Sequence, residues 1–209
     1  MMIGSTMTRK FVTAFLLLLV CSLAHAISSP TEQVRSTTDK VLGIIRDDSR
    51  PLDERRRLVR EILSENMDIQ SISQSVLATH WKEATPEEKR GFVEFFQQYI
   101  ENTYLDPIES YRDEKIEYAR EKVRGERAVV YTVIHRGEQP EVPVNYRLRL
   151  KGDRWYLYDV EIEGASLINT YRTTFAEIVR SEGMDGLLED LRQRVERYKE
   201  RERSPAKIE

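Results

Sequence analysis

Cysteine is nearly absent: the 209-residue chain has one, Cys21. A disulfide framework and any cysteine-based metal or redox site are thereby excluded. Histidine is scarce too, with only His25, His80 and His135. His80 and His135 fall on separate predicted elements without a further ligand at metal spacing. A metal centre needs about three or four ligands, so none is expected. The nine glycines are scattered, and neither a nucleophile elbow nor a phosphate loop can be assembled from them. No single sign of charge prevails: 33 Lys and Arg stand against 36 Asp and Glu, a formal net charge of −3. So mild and mixed a balance suits neither nucleic acid nor attachment to an anionic membrane. Long apolar runs are also missing, with one exception at the N-terminus.

That exception is "FVTAFLLLLVCSLA", from Phe11 to Ala24, preceded by Arg9 and Lys10 and followed by the small-x-small triplet Ala24-His25-Ala26. A membrane span needs about 20 apolar residues, and this run is shorter. Residues 1–26 read instead as a cleavable signal peptide, with a mature chain starting near Ile27. Cys21 lies in "LLVC", where a lipoprotein signal would want a small residue in place of Val20. Cleavage removes the only cysteine. It also removes Arg9 and Lys10 from the 33 basic residues, leaving 31 against 36 acidic ones and a formal charge of −5. The mature chain must be held together by its core alone. Its length suits a single domain, expected over residues 27–198, with residues 199–209 a charged and disordered tail. A soluble, periplasmic product is the expectation.

Two helix starts are written plainly. Ser29-Pro30-Thr31-Glu32 and Thr85-Pro86-Glu87-Glu88 each supply a capping hydroxyl, a proline at the first helical position and a glutamate at the third. The first predicts a helix to about Asp47. Helical spacing predicts further helices over Pro51 to Ser64 and Asp68 to Thr79. In the helix from Pro86, residues Phe92, Phe95, Phe96, Tyr99, Ile100 and Thr103 form one broad stripe, and Pro107 is expected to kink or end it. After Tyr111 the period changes to two. Strands are predicted at Lys115 to Lys122, Arg127 to Arg136, Val142 to Leu150 and Trp155 to Glu163, with glycine turns between them. On the last, Tyr156, Tyr158, Val160 and Ile162 are placed on one face. Gly164 breaks that strand, Ser166 caps a helix carrying Tyr171 and Phe175, Gly183 ends it, and Asp185 to about Tyr198 forms a final helix. The fold class is α+β: a four-stranded, curved antiparallel sheet with several helices packed on it, enclosing an apolar pocket.

Candidate catalytic groups are few. Asp159, Glu161 and Glu163 share one side of the last strand, a pattern usual for a solvated surface. Asp159 stands out because it lies between Tyr158 and Val160. Its expected role is structural, holding an arginine such as Arg172 or a backbone amide. Ser166 reads as a cap. No catalytic residue is assigned. The remaining signal is apolar: one sheet face and at least two helices direct Phe, Tyr, Leu, Ile and Val toward a common interior. Such an interior can fill itself or hold a cavity for a small apolar molecule.

Two segments carry a family resemblance. "ATHWKEATPEEKRGFVEFFQQYIENTY" (Ala78 to Tyr104) and "WYLYDVEIEGASLINTYRTTFAEIVRSEGMDGLLEDL" (Trp155 to Leu191) resemble the signature regions of the MlaC, or toluene-tolerance, family. The second is the more specific: a tryptophan strand, "YDV", "EG-S", then tyrosine-arginine and a phenylalanine three residues on. Family members commonly read leucine-glycine before the helical tryptophan segment. This chain has Leu77-Ala78-Thr79-His80-Trp81, which puts the local turn in question. The resemblance implies a cone distantly like nuclear transport factor 2, with lipid tails inside and the head group at the mouth. It also implies a soluble carrier, not an enzyme. Its cargo would be phospholipid, or a hopanoid-related lipid in a similar branch, with no cofactor and no nucleic acid. The partners implied are an inner-membrane ABC transporter with MCE-type subunits and an outer-membrane lipoprotein–porin complex.

Inward-facing residues expected to line the lipid pocket are Phe96, Tyr99, Val130, Tyr146, Leu148, Tyr158, Val160, Tyr171 and Phe175, in a chain expected to be monomeric. The rival readings are a cone-fold enzyme with Asp159 as base, acting on a small apolar substrate, and an envelope interaction module whose cone is fully packed.

Overall fold

The computed structural model describes residues 27–111 and 114–203. The expected signal peptide, residues 1–26, and the last part of the tail, residues 204–209, lie outside the described residues. Five helices come first: α1 (Pro30–Ile45), α2 (Leu52–Asn66), α3 (Ile69–Leu77), α4 (His80–Glu83) and α5 (Pro86–Glu109). The sheet follows: β1 (Lys115–Arg124), β2 (Arg127–Arg136), β3 (Gln139–Lys151), β4 (Arg154–Ile162) and a two-residue β5 (Ala165–Ser166). Helix α6 (Leu167–Arg203) closes the chain.

Both capping boxes form. The Glu32 amide donates to Ser29 Oγ at 3.1 Å, and the Ser29 amide to Glu32 Oε2 at 2.9 Å. Thr85 and Glu88 repeat the exchange at 3.2 and 2.7 Å, so each box satisfies backbone donors the helix cannot reach itself. Pro107 sits in the last turn of α5, which runs on to Glu109. Gly183, at φ 74°, breaks α6 into two legs. A residue with a side chain would be strained there, which is why the first leg stops at glycine. Residues 199–203 of the expected tail are the last helical turns of α6.

The sheet is an all-antiparallel meander in the order β1-β2-β3-β4-β5, one short strand more than the sequence suggested. The extra strand arises from the two-residue turn Glu163-Gly164, both at positive φ, which pairs Ile162 with Ala165. Register shifts interrupt β1 at Tyr118/Arg120, β2 at Ile134/Arg136 and β3–β4 at Arg147/Leu148. Each adds a residue on one strand and bends it, giving the sheet a concave face.

The third shift corrects the expected face of β4. Leu157 pairs with Leu148 and Asp159 with Arg147, leaving Tyr158 as the extra residue. A one-residue slip exchanges the two faces of a strand. Trp155 and Leu157 therefore join Val160 and Ile162 on the concave side, while Tyr156 and Tyr158 turn away.

Separate cores result. In one, α3, α5 and α6 pack around Phe92, Phe96, Tyr171 and Phe175. Their rings meet as stacked and edge-to-face pairs with centroids 5.1 to 5.9 Å apart, each worth about 0.5–1.5 kcal/mol beyond burial. In another, Val34 of α1 meets Ala128, Val130, Leu148 and Trp155 on the sheet. Helix α1 is pinned across the concave face at its start. The Trp155 indole donates to the Ser28 carbonyl at 3.1 Å, and Thr31 donates from its amide and hydroxyl to Glu121 Oε2 at 3.0 and 2.7 Å. At the far end an ionic cluster ties three helices together. Arg56 bonds Glu109 and Glu202, Arg60 bonds Glu202, and Asp106 accepts from Tyr198 and Arg201.

The turn after α3 is strained. Ala78 holds φ 50°, ψ −113°, conformations at home for glycine and costly for a residue with a Cβ. Its side chain is exposed, so nothing is lost by removing it. Ala78→Gly should stabilise the protein by about 1 kcal/mol, raising Tm by roughly 2–4 °C. An unchanged or lower Tm in a thermal melt would contradict the strained turn.

Candidate functional site

Between the concave sheet face and the helices lies a cavity of about 330 Å³. Its floor is the sheet: Ile116 of β1, Ile134 of β2, Val144, Tyr146 and Leu148 of β3, and Trp155, Leu157, Val160 and Ile162 of β4. Helix α1 forms one wall through Val34, Thr37, Thr38, Val41 and Leu42, the end of α2 adds Leu63, Asn66 and Met67, and α5 closes the space with Ile100, Glu101, Tyr104, Pro107 and Ile108. The wall is thus overwhelmingly apolar. Among the described residues, Glu101 is the one charged group on it, and no lysine or arginine lines it.

Three of the nine residues expected to face a pocket line this cavity: Tyr146, Leu148 and Val160. Phe96, Tyr171 and Phe175 lie in the solid aromatic core, and Tyr99 and Tyr158 pack against its edge. Val130 shares the concave face with its partner Tyr146 but is fully buried in the second core, under Val34. The spacing of α5 identified an inward stripe, but two interiors compete for it. Phe92 and Phe96 go to the α5–α6 seam, whereas Ile100, Tyr104 and Ile108, displaced around the helix, reach the cavity. Sequence reasoning passed over the α1 wall although Val34, Val41 and Leu42 were visible at helical spacing. It also missed Trp155 and Leu157, and no glycine or proline in β4 signals the bulge that turns them inward.

Polar groups on the wall are mostly satisfied. The Asn66 side-chain oxygen accepts from Gln33 at 3.0 Å, Thr37 at 3.2 Å and Arg154 at 2.9 Å, while its amide donates to the Ile62 carbonyl. Tyr104 and Tyr171 share a hydroxyl contact of 3.3 Å. Glu101, 8 % exposed, accepts from the Gln97 side chain at 2.9 Å. Burial pushes its carboxyl above the usual range, against the opposing effects of the Gln97 bond and the Arg60 charge.

Asp159 is not part of the cavity wall. Also 8 % exposed, it accepts from the Ser166 hydroxyl at 2.8 Å and the Ile168 amide at 3.2 Å, with Arg147 Nε 3.6 Å away. The expected structural role holds through the backbone amide and Arg147. Arg172, the expected partner, instead donates twice to the Ser75 carbonyl, at 2.9 and 2.7 Å. Asp159 and Ser166 together start α6, since Ser166 Oγ also accepts from the Asn169 amide at 3.3 Å. Of the histidines, His135 lies between Glu117 and Glu141 and His80 beside Glu83. Among the described residues, no cluster of three or more His, Cys, Asp or Glu could hold a metal ion, and no helix is long and apolar enough to cross a membrane.

An antiparallel meander, roofed by helices and enclosing an apolar cavity, defines an α+β pocket protein. Comparison with known proteins narrows this class. A family model described as MlaC protein matches residues 35–193, and the chain belongs to the MlaC family. It is 23% identical over 190 residues to the intermembrane phospholipid transport system binding protein MlaC of Haemophilus influenzae, covering 87% of each chain. It is 26% identical over 169 residues to the toluene tolerance protein ttg2D of Pseudomonas putida, covering 78% of this chain and 79% of that one. Among solved structures, a phospholipid-binding protein from Ralstonia solanacearum, determined with a phospholipid, shares the fold with a TM-score of 0.73 at 23% identity. That match covers 82% of this chain and 99% of the other.

Two outcomes follow from the buried carboxylates. Asp159→Ala leaves the Ile168 amide and Ser166 hydroxyl without their acceptor and should cost about 2–3 kcal/mol in chemical denaturation. A loss under 0.5 kcal/mol would contradict its role. For Glu101 the folded pKa lies above the unfolded one, so the folded state binds the extra proton and stability falls as pH rises through that raised value. Glu101→Gln should therefore melt above the wild type at pH 7–8, with the gap closing as pH drops into the ordinary carboxylate range. A gap independent of pH would contradict a penalised charge.

Proposed function

We propose that this chain is a soluble periplasmic carrier that takes phospholipid acyl chains into the cavity and carries them between membrane complexes of an ABC-type lipid transport system. The observation that carries the reading is the cavity itself, about 330 Å³ and apolar, with one carboxylate and no cation among the described residues of its wall. That volume lies in the range of small-molecule sites. A phosphate inside would lose its hydration without gaining a counter-charge, so the head group stays at the mouth and the tails go in. The names of the relatives, a phospholipid transport binding protein and a phospholipid-binding protein, agree with this cargo.

The energetics suit a shuttle. Removing a chain of about 15 methylenes from water is worth on the order of 12 kcal/mol, at ~0.8 kcal/mol for each. Against a bilayer the same burial is close to neutral, because the tails were already dry. The pocket can hold lipid across an aqueous gap and release it at either membrane without covalent chemistry. An enzymatic reading has no support from the site. Asp159 is engaged at the β4–α6 corner, on the face opposite the cavity. Its partners in this reading are phospholipid, an inner-membrane transporter with MCE-type subunits and an outer-membrane lipoprotein–porin complex.

Val160 lies mid-floor, paired with Tyr146. Val160→Trp should fill the space, leave Tm within a few degrees of the wild type, and cut uptake of a fluorescent phospholipid by at least ten-fold. A folded variant that loads lipid as the wild type does would sink the cavity as the binding site.

A further inference from the structure

Tyr146 is a polar group whose chemistry the cavity does not use. It stands on β3, the middle of the five strands, between Val144 and Leu148 and across from Val130 and Val160. The side chain is partly buried, and desolvation pushes its phenol well above the usual tyrosine value. It lines the cavity. Two neighbouring hydroxyls are engaged elsewhere: Tyr104 meets Tyr171, and Tyr118 meets Thr38. The Tyr146 hydroxyl has no hydrogen-bond partner among the described residues. An interior hydroxyl left unpaired in an apolar cavity costs free energy unless a ligand completes it.

We infer that the Tyr146 hydroxyl donates a hydrogen bond to a neutral oxygen of the cargo, and that this oxygen is an ester carbonyl joining an acyl chain to glycerol. The inference rests on the carrier reading above and specifies which part of the lipid enters the floor. Two features select the acceptor. The phenol stays protonated at any physiological pH, so it can donate. Among the described residues no cation lines the wall to accompany a phosphate, and Glu101 would repel one. In a phospholipid whose head group stays outside, the ester carbonyls are the neutral acceptors next to the acyl chains. Hydrocarbon alone would leave this donor unsatisfied, so the site discriminates ester-linked lipid from lipid lacking that carbonyl.

The test compares two phospholipids of identical head group and chain length, one diester and one diether, binding to delipidated wild type and to Tyr146→Phe. Wild type should bind the diester roughly three- to ten-fold more tightly, the worth of one neutral hydrogen bond. Tyr146→Phe should abolish that preference by weakening the diester alone, with Tm near the wild type because no internal bond is lost. Equal affinities for diester and diether in the wild type overturn the inference without any variant, as does a Tyr146→Phe that keeps the preference or weakens both lipids alike. In each of those cases the carrier reading survives. If wild type binds neither lipid, the carrier reading itself falls.

Discussion

The cavity exists because the aromatic side chains that could fill it are held elsewhere. Phe92, Phe96, Tyr171 and Phe175 interlock between α5 and α6, ring against ring, and form a rigid block beside the sheet. Close-packed interiors leave few voids, and an unfilled apolar space is normally lost by collapse. Collapse is resisted here at three points: the block itself, the Trp155 and Glu121 bonds that pin the start of α1, and the Arg56–Arg60 cluster joining α2, α5 and the end of α6. The helices can neither sink into the concave face nor drift from it. Stability and emptiness are thus assigned to different parts of one domain.

Most of the architecture could be read from the chain. Capping boxes at Ser29 and Thr85, the change of period after Tyr111, and glycines at the turns placed the helices and the meander because each is a local signal. The two-residue β5 was not visible as a strand; its pairing comes from the Glu163-Gly164 turn rather than from any apolar alternation. The leucine-alanine step at Ala78, flagged by its departure from the family, proved to be a real oddity of the backbone.

The candidate site was legible only in part, for two physical reasons. A helix stripe says inward, and on α5 inward means the aromatic core for Phe96 but the cavity for Ile100 and Tyr104. On β4 the bulge at Tyr158 exchanges the faces halfway along, and bulges are set by curvature of the whole sheet, which no five-residue window contains. Tyr146, Leu148 and Val160 reach the floor because β3 keeps its alternation throughout that stretch and Val160 lies beyond the slip.

The central claim is that this interior holds lipid. Native mass spectrometry of the protein, purified from cells without detergent, tests this most directly. The account predicts a mass exceeding that of the chain by one glycerophospholipid, with fatty acyl fragments on dissociation. Bare protein, both as purified and after incubation with phospholipid vesicles, would contradict it.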